Sequence, residues 1–474
     1  MHVLIVTPEI VPFSGRGAPE THDELGEVAG RLAEALVAEG HEVSVVAPLR
    51  AEIEPSRHSL ARRLTKVSIF VGGEPAELGL YEGTLRRTSS RVFFLDHEAT
   101  FRSEGAAKHR AAYMLAAGAL KLAADNQWAL DAVHAHGWRA GLVPLLMQRA
   151  RRRHPDAPAP RSVFSLHDPA ALGLFDKDIL DDLALGYDEF HPDGIEFHGK
   201  VSLLKAGIVY SDVVTAPSPA FARELCADGR GHGLEGLYTA RGSKLAGVAG
   251  GADITHDPAG DHRLPARYSA GQLDGKASCK RALQSELGLR PNDRLPLLLM
   301  LGPFDDDSGV DLLLDSAERW SALRLQVAFV GGGDAQRCER LAKLAASDDK
   351  VAYRADADGA LSRLCLAGAD ALLLPMTRDH GTLLAQRALR YGTVPIVHSV
   401  GGLGDAVVDF DVVSRTGTGF VFSESGADAL FLTIDRLLRC FEDHRRWQAL
   451  VNNTLSQDVS WTLAARRYAT LYAR

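Results

Sequence analysis

The sequence predicts an α/β protein of two doubly wound domains, each a mostly parallel sheet with helices on both faces. Three observations predict it. The chain has 474 residues, past the size at which one hydrophobic core keeps growing, so two domains of about 200 to 250 residues are expected. Short apolar runs alternate with segments of helical period, and a strand, helix and strand in succession imply parallel pairing. The alternation breaks at a glycine-rich passage (Gly247, Gly250, Gly251) and the polar stretch HDPAGDHRLP, and then restarts.

The elements follow in order. HVLIVTPE is a buried strand, LGEVAGRLAEALVAEG places Leu25, Val28, Leu32 and Leu36 on one helical stripe that stops at Gly40, and EVSVVAP is the next strand. SRVFFLDH, DAVHAH, SVFSLH and DVVTAPS continue as strands, with helices AAYMLAAGALKLAADNQWAL, GLVPLLMQRARRR and SLLKAGIVYS between them. After the break, LPLLLMLG, LRLQVAFVGGG, DALLLP and VPIVHS are strands, and SGVDLLLDSAERW and TLLAQRALRYG are helices. The closing segment HRRWQALVNNTLSQDVSWTLAARRYATLYAR is helical in period. We therefore expect one domain over residues 1–250, a second over 251–455, and a helix over 456–474 packing back on the first. The ligand crevice should lie outside the carboxyl ends of both sheets.

Composition narrows the partners. With 46% hydrophobic and 24% charged residues the chain is ordinary for a globular protein. Its net charge of −8 leaves no electrostatic footprint for nucleic acid, and the cluster Arg149, Arg151, Arg152, Arg153 reads as a solvated helix face. Five cysteines stand far apart without a CxxC pair, which supports neither a disulfide framework nor a zinc site. The apolar run Val3 to Val6 lacks a basic lead and a long core, so it reads as a strand and not a signal peptide. No segment reaches about 18 uninterrupted apolar residues. The expectations are a cytoplasmic protein without membrane or nucleic-acid partners and without a cofactor. No nucleophile elbow, P-loop or HExxH is present, which argues against those enzyme classes.

Residue blocks now add to periodicity. DAVHAHGWRAGL, SVFSLHDPAALGLF, EFHGKVSLLKAGIVYSDVVTAPSPAFARELC, GLEGLY, CKRALQSELGL, YGTVPIVHSVGGLGDAVVD, GTGFVF and SWTLAARRYATLY resemble the bacterial glycogen and starch synthases, in family order over essentially the whole chain. The resemblance implies the GT-B fold: two Rossmann-like domains, an interdomain cleft and a C-terminal helix crossing back. It also implies transfer of glucose from a nucleotide sugar, usually ADP-glucose, to the non-reducing end of an α-1,4-glucan, with retention, without a metal and without an established covalent nucleophile. The leaving diphosphate then needs fixed cations, backbone N–H groups and a helix N-terminus.

Against that pattern, several positions depart. The family resembles SRLxxQKGxD where this chain has LGPFDDDSGVD, so Pro303 and Ser308 stand at the arginine and lysine that hold the donor phosphates. Asp305, Asp306 and Asp307 fill the space between them. Each unit charge at about 4 Å would repel a diphosphate by about 4 kcal/mol at an effective dielectric of about 20. The expected structure is a solvated acidic turn capping the following helix, rather than a Mg²⁺ site. The KxGG core is missing too, although Glu9, Pro12 and LGEV remain, and Gly15, Arg16 and Gly17 are the candidates to replace it with a cation, the alternative being a plain surface loop. By the same resemblance Gly137 replaces an aspartate near the acceptor, Gly250 an asparagine, and Asp379 the glutamate that binds the donor sugar, one methylene shorter.

Other positions survive. His167, after the strand SVFSLH, matches the histidine that contacts the donor sugar, and with Asp379 it makes the candidate catalytic pair. Gly401 and Gly402 can bring backbone amides to a sugar or phosphate, and Tyr353 can stack on a base. Lys205 reads as a packing residue with a buried stem. Two functions remain in view. One is a degenerate relative that keeps affinity for α-glucan or nucleotide sugar and acts through a protein partner; the other is an active transferase with a rebuilt phosphate site. Two lost phosphate contacts at about 2 to 4 kcal/mol each favour the first.

Overall fold

A computed structural model describes residues 1–13, 24–85, 88, 90–103, 107–252, 257–378 and 381–473. The chain forms two compact units: one from the described residues up to Gly250 together with the segment from Trp461 onward, the other Gly251–Ser460.

The first unit holds a ten-stranded sheet. Its strands are β1 (His2–Val6), β2 (Glu42–Pro48), β3 (Ala61–Arg62), β4 (Val67–Val71), β5 (Glu74–Thr84), β6 (Arg91–Asp96), β7 (Ala132–His136) and β8 (Arg161–Ser165). The short β9 (Leu174–Phe175), β10 (Glu196–Phe197) and β11 (Lys200–Ser202) make a separate small sheet, and β12 (Val213–Ala216) and β13 (Leu245–Gly247) complete the large one. The order is β13-β12-β8-β7-β1-β2-β6-β5-β3, with β4 on β5; β13 through β6 are parallel and β5 turns antiparallel. β1 and β7 are buried along their whole length, as strands of a sheet covered on both faces must be. Strand order reverses between β1 and β7, which is where such a sheet opens its crevice.

The C-terminal helix, Trp461–Ala473, belongs to this unit. Its Trp461, Ala464, Ala465, Tyr468 and Tyr472 share one core with Val3, Ile5, Leu32 and Leu36, and Arg466 meets Glu39 at 2.7 Å. Close packing also fixes Gly141, before the helix Leu142–Arg153, where a Cβ would lie 2.0 Å from the Leu203 carbonyl oxygen.

The second unit is a six-stranded parallel sheet of β14 (Leu297–Leu301), β15 (Gln326–Val330), β16 (Val351–Arg354), β17 (Ala371–Leu374), β18 (Val394–His398) and β19 (Phe420–Phe422), in the order β16-β15-β14-β17-β18-β19. Its reversal falls between β14 and β17. A buried ion pair, Lys280 to Asp370 at 2.6 Å, ties the helix Asp274–Glu286 to the start of β17; Lys280 also donates to the Leu295 carbonyl and Asp370 accepts from the Leu297 amide.

The expected α/β class and its parallel sheets hold. Three details differ from the sequence reading. The stretch 49–89, left without elements, carries the antiparallel β3 to β5. SGVDLLLDSAERW is two short helices, Val310–Leu314 and Ala317–Ser321, because Trp320 folds back and its buried Nε1 donates to the Leu313 carbonyl. The last helix starts at Trp461 and not at 456, and the helix before it, His444–Leu455, is capped by Asp443.

Candidate active site

The carboxyl ends of β1 and β7 carry a cluster of polar groups. After β1, Thr7 donates to the Glu9 carbonyl, and the Glu9 carboxylate pairs with Arg50 and, at 3.7 Å, with Arg139. Arg139 stacks over Trp138 at 5.0 Å. These guanidinium groups line a cavity of about 140 Å³ with Pro8, Pro48, Thr100 and Phe101. Two cations thus face it, one carboxylate being shared between them. Sequence reasoning noted Glu9 and missed both arginines, since nothing in local spacing pairs positions 9, 50 and 139.

Behind this edge three histidines stack. His134 and His136 alternate on β7, so they point to the same face, with ring centroids 4.1 Å apart. His136 Nδ1 lies 3.1 Å from His167 Nε2. His134 is held at both nitrogens, by Tyr472 Oη at 2.8 Å and Ser165 Oγ at 2.7 Å, and Ser165 continues to Thr215 at 2.5 Å. Burial disfavours the charged imidazolium, pushing His134 down to about 3, His167 to about 4 and His136 well below its ordinary value. All three are neutral near pH 7. His167 is half-buried, at the open end of the stack. The HAH spacing was the available signal for His134 and His136; Tyr472, 338 residues from His134, had none.

Gly137 follows directly, with φ 68 and ψ 171, a region that is essentially open to glycine alone. A carboxylate-bearing residue there would require a different local backbone. Gly250 makes room for the Trp461 indole, which a Cβ would meet at 3.0 Å. Lys205 is buried and donates to the carbonyls of Pro192 and Glu196, so it pins that loop.

In the second unit the loops after β14 and β17 flank the reversal. Gly302 and Phe304 donate to the Val330 and Gly332 carbonyls, and a Cβ on Gly333 would meet the Phe304 nitrogen at 2.5 Å. The acidic run closes as a turn. Asp305 accepts from the Asp307 amide, and Ser308, buried, donates to the Asp305 carbonyl at 2.7 Å. Asp306 pairs with Arg337 at 2.8 Å, and Arg337 also holds Asp311. Asp307 accepts from Thr377 Oγ1 at 2.9 Å and faces Arg378 at 3.5 Å. The aspartates do not cap the next helix as expected: Gly309, left-handed at φ 73, precedes Val310–Leu314 and gives it no side-chain cap. Arginines 31 and 71 positions away thus partner Asp306 and Asp307, which offsets part of the repulsion foreseen from bare charges.

Of the other candidates, Tyr353 sits half-buried on the edge strand β16, with Phe304 6.4 Å away. Gly401 (φ 51) and Gly402 follow β18, where His398 donates through Nδ1 to the Met376 carbonyl and stacks on Phe422. Gly15, Arg16, Gly17 and Asp379 lie outside the described residues. Among the described residues no group of three His, Cys, Asp or Glu is placed to hold a metal ion, and no helix is long and apolar enough to cross a membrane.

Known proteins match this arrangement along the whole chain. A family described as starch synthase catalytic domain matches residues 2–240, and one described as glycosyl transferases group 1 matches 287–450. A protein named glycogen synthase from Anaeromyxobacter sp. (strain Fw109-5) is 38% identical, covering 100% of this chain and 99% of its own. Another of that name from Myxococcus xanthus (strain DK1622) is 36% identical, with 100% and 99% covered. Among solved structures, the catalytic domain of Starch Synthase IV from Arabidopsis thaliana bound to ADP and acarbose superposes with a TM-score of 0.88 at 26% identity, covering 100% of this chain and 99% of that one. This chain belongs to the glycogen and starch synthase family, with its GT-B fold.

Proposed function

We propose that this glycogen-synthase-like glycosyltransferase of α-glucan metabolism keeps affinity for glucan or nucleotide sugar while transferring glucose weakly or not at all. One observation carries the reading. The turn at the reversal of the second sheet has Pro303 and a buried Ser308 where the family resemblance implies arginine and lysine. Ser308 is spent inside the turn, accepting from Val310 and donating to Asp305. A leaving diphosphate held without those two cations loses about 2 to 4 kcal/mol of transition-state stabilisation for each. His167, Gly137, Gly250, Tyr353, Gly401 and Gly402 then serve binding, with a cytoplasmic location and, in this reading, a protein partner that uses the bound form.

A second reading has its own observation. Arg378 stands at the same reversal, exposed, and only loosely paired with Asp307, so an active transferase could use it in place of the missing cations. Incubating purified protein with ADP-glucose and glycogen separates the two. ADP release that Arg378→Ala abolishes supports the active enzyme; no release, with glycogen binding seen by calorimetry, supports the first reading.

A further inference from the structure

The histidine stack carries an arrangement that the site as described leaves unused. His136 is fully buried, its Nδ1 is 3.1 Å from His167 Nε2, and its own Nε2 is buried without a hydrogen-bond partner. A neutral imidazole has one N–H donor and one bare acceptor nitrogen. Only two proton arrangements therefore suit the pair. If His167 donates through Nε2, the His136 proton must sit on Nε2, stranding a buried N–H. If His136 donates through Nδ1, the stranded atom is a bare acceptor. Buried donors without partners are the rarer outcome, so the second arrangement is favoured.

That choice reaches the open end of the stack. With Nε2 of His167 accepting, its single proton is on Nδ1, the tautomer that a free histidine side chain disfavours. His134 backs the His136 ring at 4.1 Å and is itself clamped by Tyr472 and Ser165, so the rings have little room to turn. We propose that His136 is a positioning residue that locks His167 in the Nδ1–H tautomer, so that His167 offers a neutral donor to an acceptor oxygen of a sugar hydroxyl. The lock stands on the stack alone; the hydroxyl rests on the reading that the carboxyl ends of β7 and β8 hold the ligand. A neutral donor also suits a hydroxyl better than a phosphate, which rewards a cation.

The test is long-range ¹H–¹⁵N correlation on the full chain labelled with ¹⁵N-histidine, with His167 assigned by the signals lost in His167→Gln. In the unmutated protein, Nδ1 of His167 should resonate as a protonated nitrogen and Nε2 as a bare one. His136→Asn, whose amide can still donate from the Nδ1 position, should keep that pattern. His136→Phe, which fills the space without a donor, should shift the Nε2 signal toward the protonated range. A protonated Nε2 in the unmutated protein overturns the lock, and so does a phenylalanine variant that keeps the unmutated pattern. Titration with ADP-glucose and with maltoheptaose reads the second half: movement of the Nδ1 signal supports the hydroxyl contact, and signals unmoved by either refute it while the ligand-free tautomer stays separately decided.

Discussion

Asp307→Asn removes the carboxylate that faces Arg378 at 3.5 Å, between side chains 31% and 58% exposed. Unscreened, that pair is worth about 1 kcal/mol in a water-like dielectric and about 5 kcal/mol at an effective value near 20. Pairs this exposed measure at about 0 to 1 kcal/mol, so the lower figure applies. Arg378 is therefore held weakly enough for a diphosphate to capture it. Replacing Asp307 frees the guanidinium and deletes a repulsion of about 1 kcal/mol on a phosphate some 4 Å away. Together they amount to about 1 to 2 kcal/mol, a gain of about 5- to 30-fold in affinity for ADP. Calorimetry of ADP binding by the full chain at low salt should show that gain, and it should shrink as added salt shortens the screening length below about 10 Å. Arg378→Ala should lower affinity, and in the Asp307→Asn background it should remove the gain. An ADP affinity that does not change in Asp307→Asn at low salt refutes the placement of the phosphates beside this turn.

Lys280→Met leaves Asp370 buried and unpaired, and should cost the second unit about 3 to 5 kcal/mol in urea unfolding, with part recovered by adding Asp370→Asn. Gly141→Ala drives a Cβ to 2.0 Å from the Leu203 carbonyl; backbone must move, and a loss of about 3 kcal/mol or more should appear in the first unit's transition. Acid should weaken the first unit through its histidines. Burial holds His134 down to about 3 against an ordinary value of 6.5, so its contribution is full above pH 6.5 and is lost as pH falls from there toward 3. Each such proton adds a slope of about 1.4 kcal/mol per pH unit, and His134→Gln should flatten the pH dependence of the urea midpoint by about one proton. Tyr472→Phe removes the partner of a buried ring nitrogen and should cost about 1 to 3 kcal/mol by the same measurement.

What the sequence made legible follows from what decides each element. Continuous apolar runs such as VLIV and LPLLLML read as strands covered on both faces, and Gly40 ended its helix at a left-handed position because no side chain hinders it there. β3 to β5 were not legible, since the exposed Phe70 within β4 blurs the alternation that marks a half-buried strand and β3 is only two residues long. His167 could be placed because a strand end fixes its position. Its partner His136 was visible in HAH, but a strand buried on both faces gives no contrast that would mark it as polar by design. The acidic turn shows the limit most plainly. Three adjacent carboxylates suggested repulsion and a helix cap, and only the fold could bring Arg337, Thr377 and Arg378 to them.

Because the first unit closes only when Trp461–Ala473 arrives, its own residues are synthesised long before it can be finished. While the ribosome makes Gly251–Ser460, the apolar back of Leu32, Leu36 and Ile5 waits uncovered, and His134 waits for Tyr472. A chain that stalls or is cut before Trp461 lacks the wall behind the histidines.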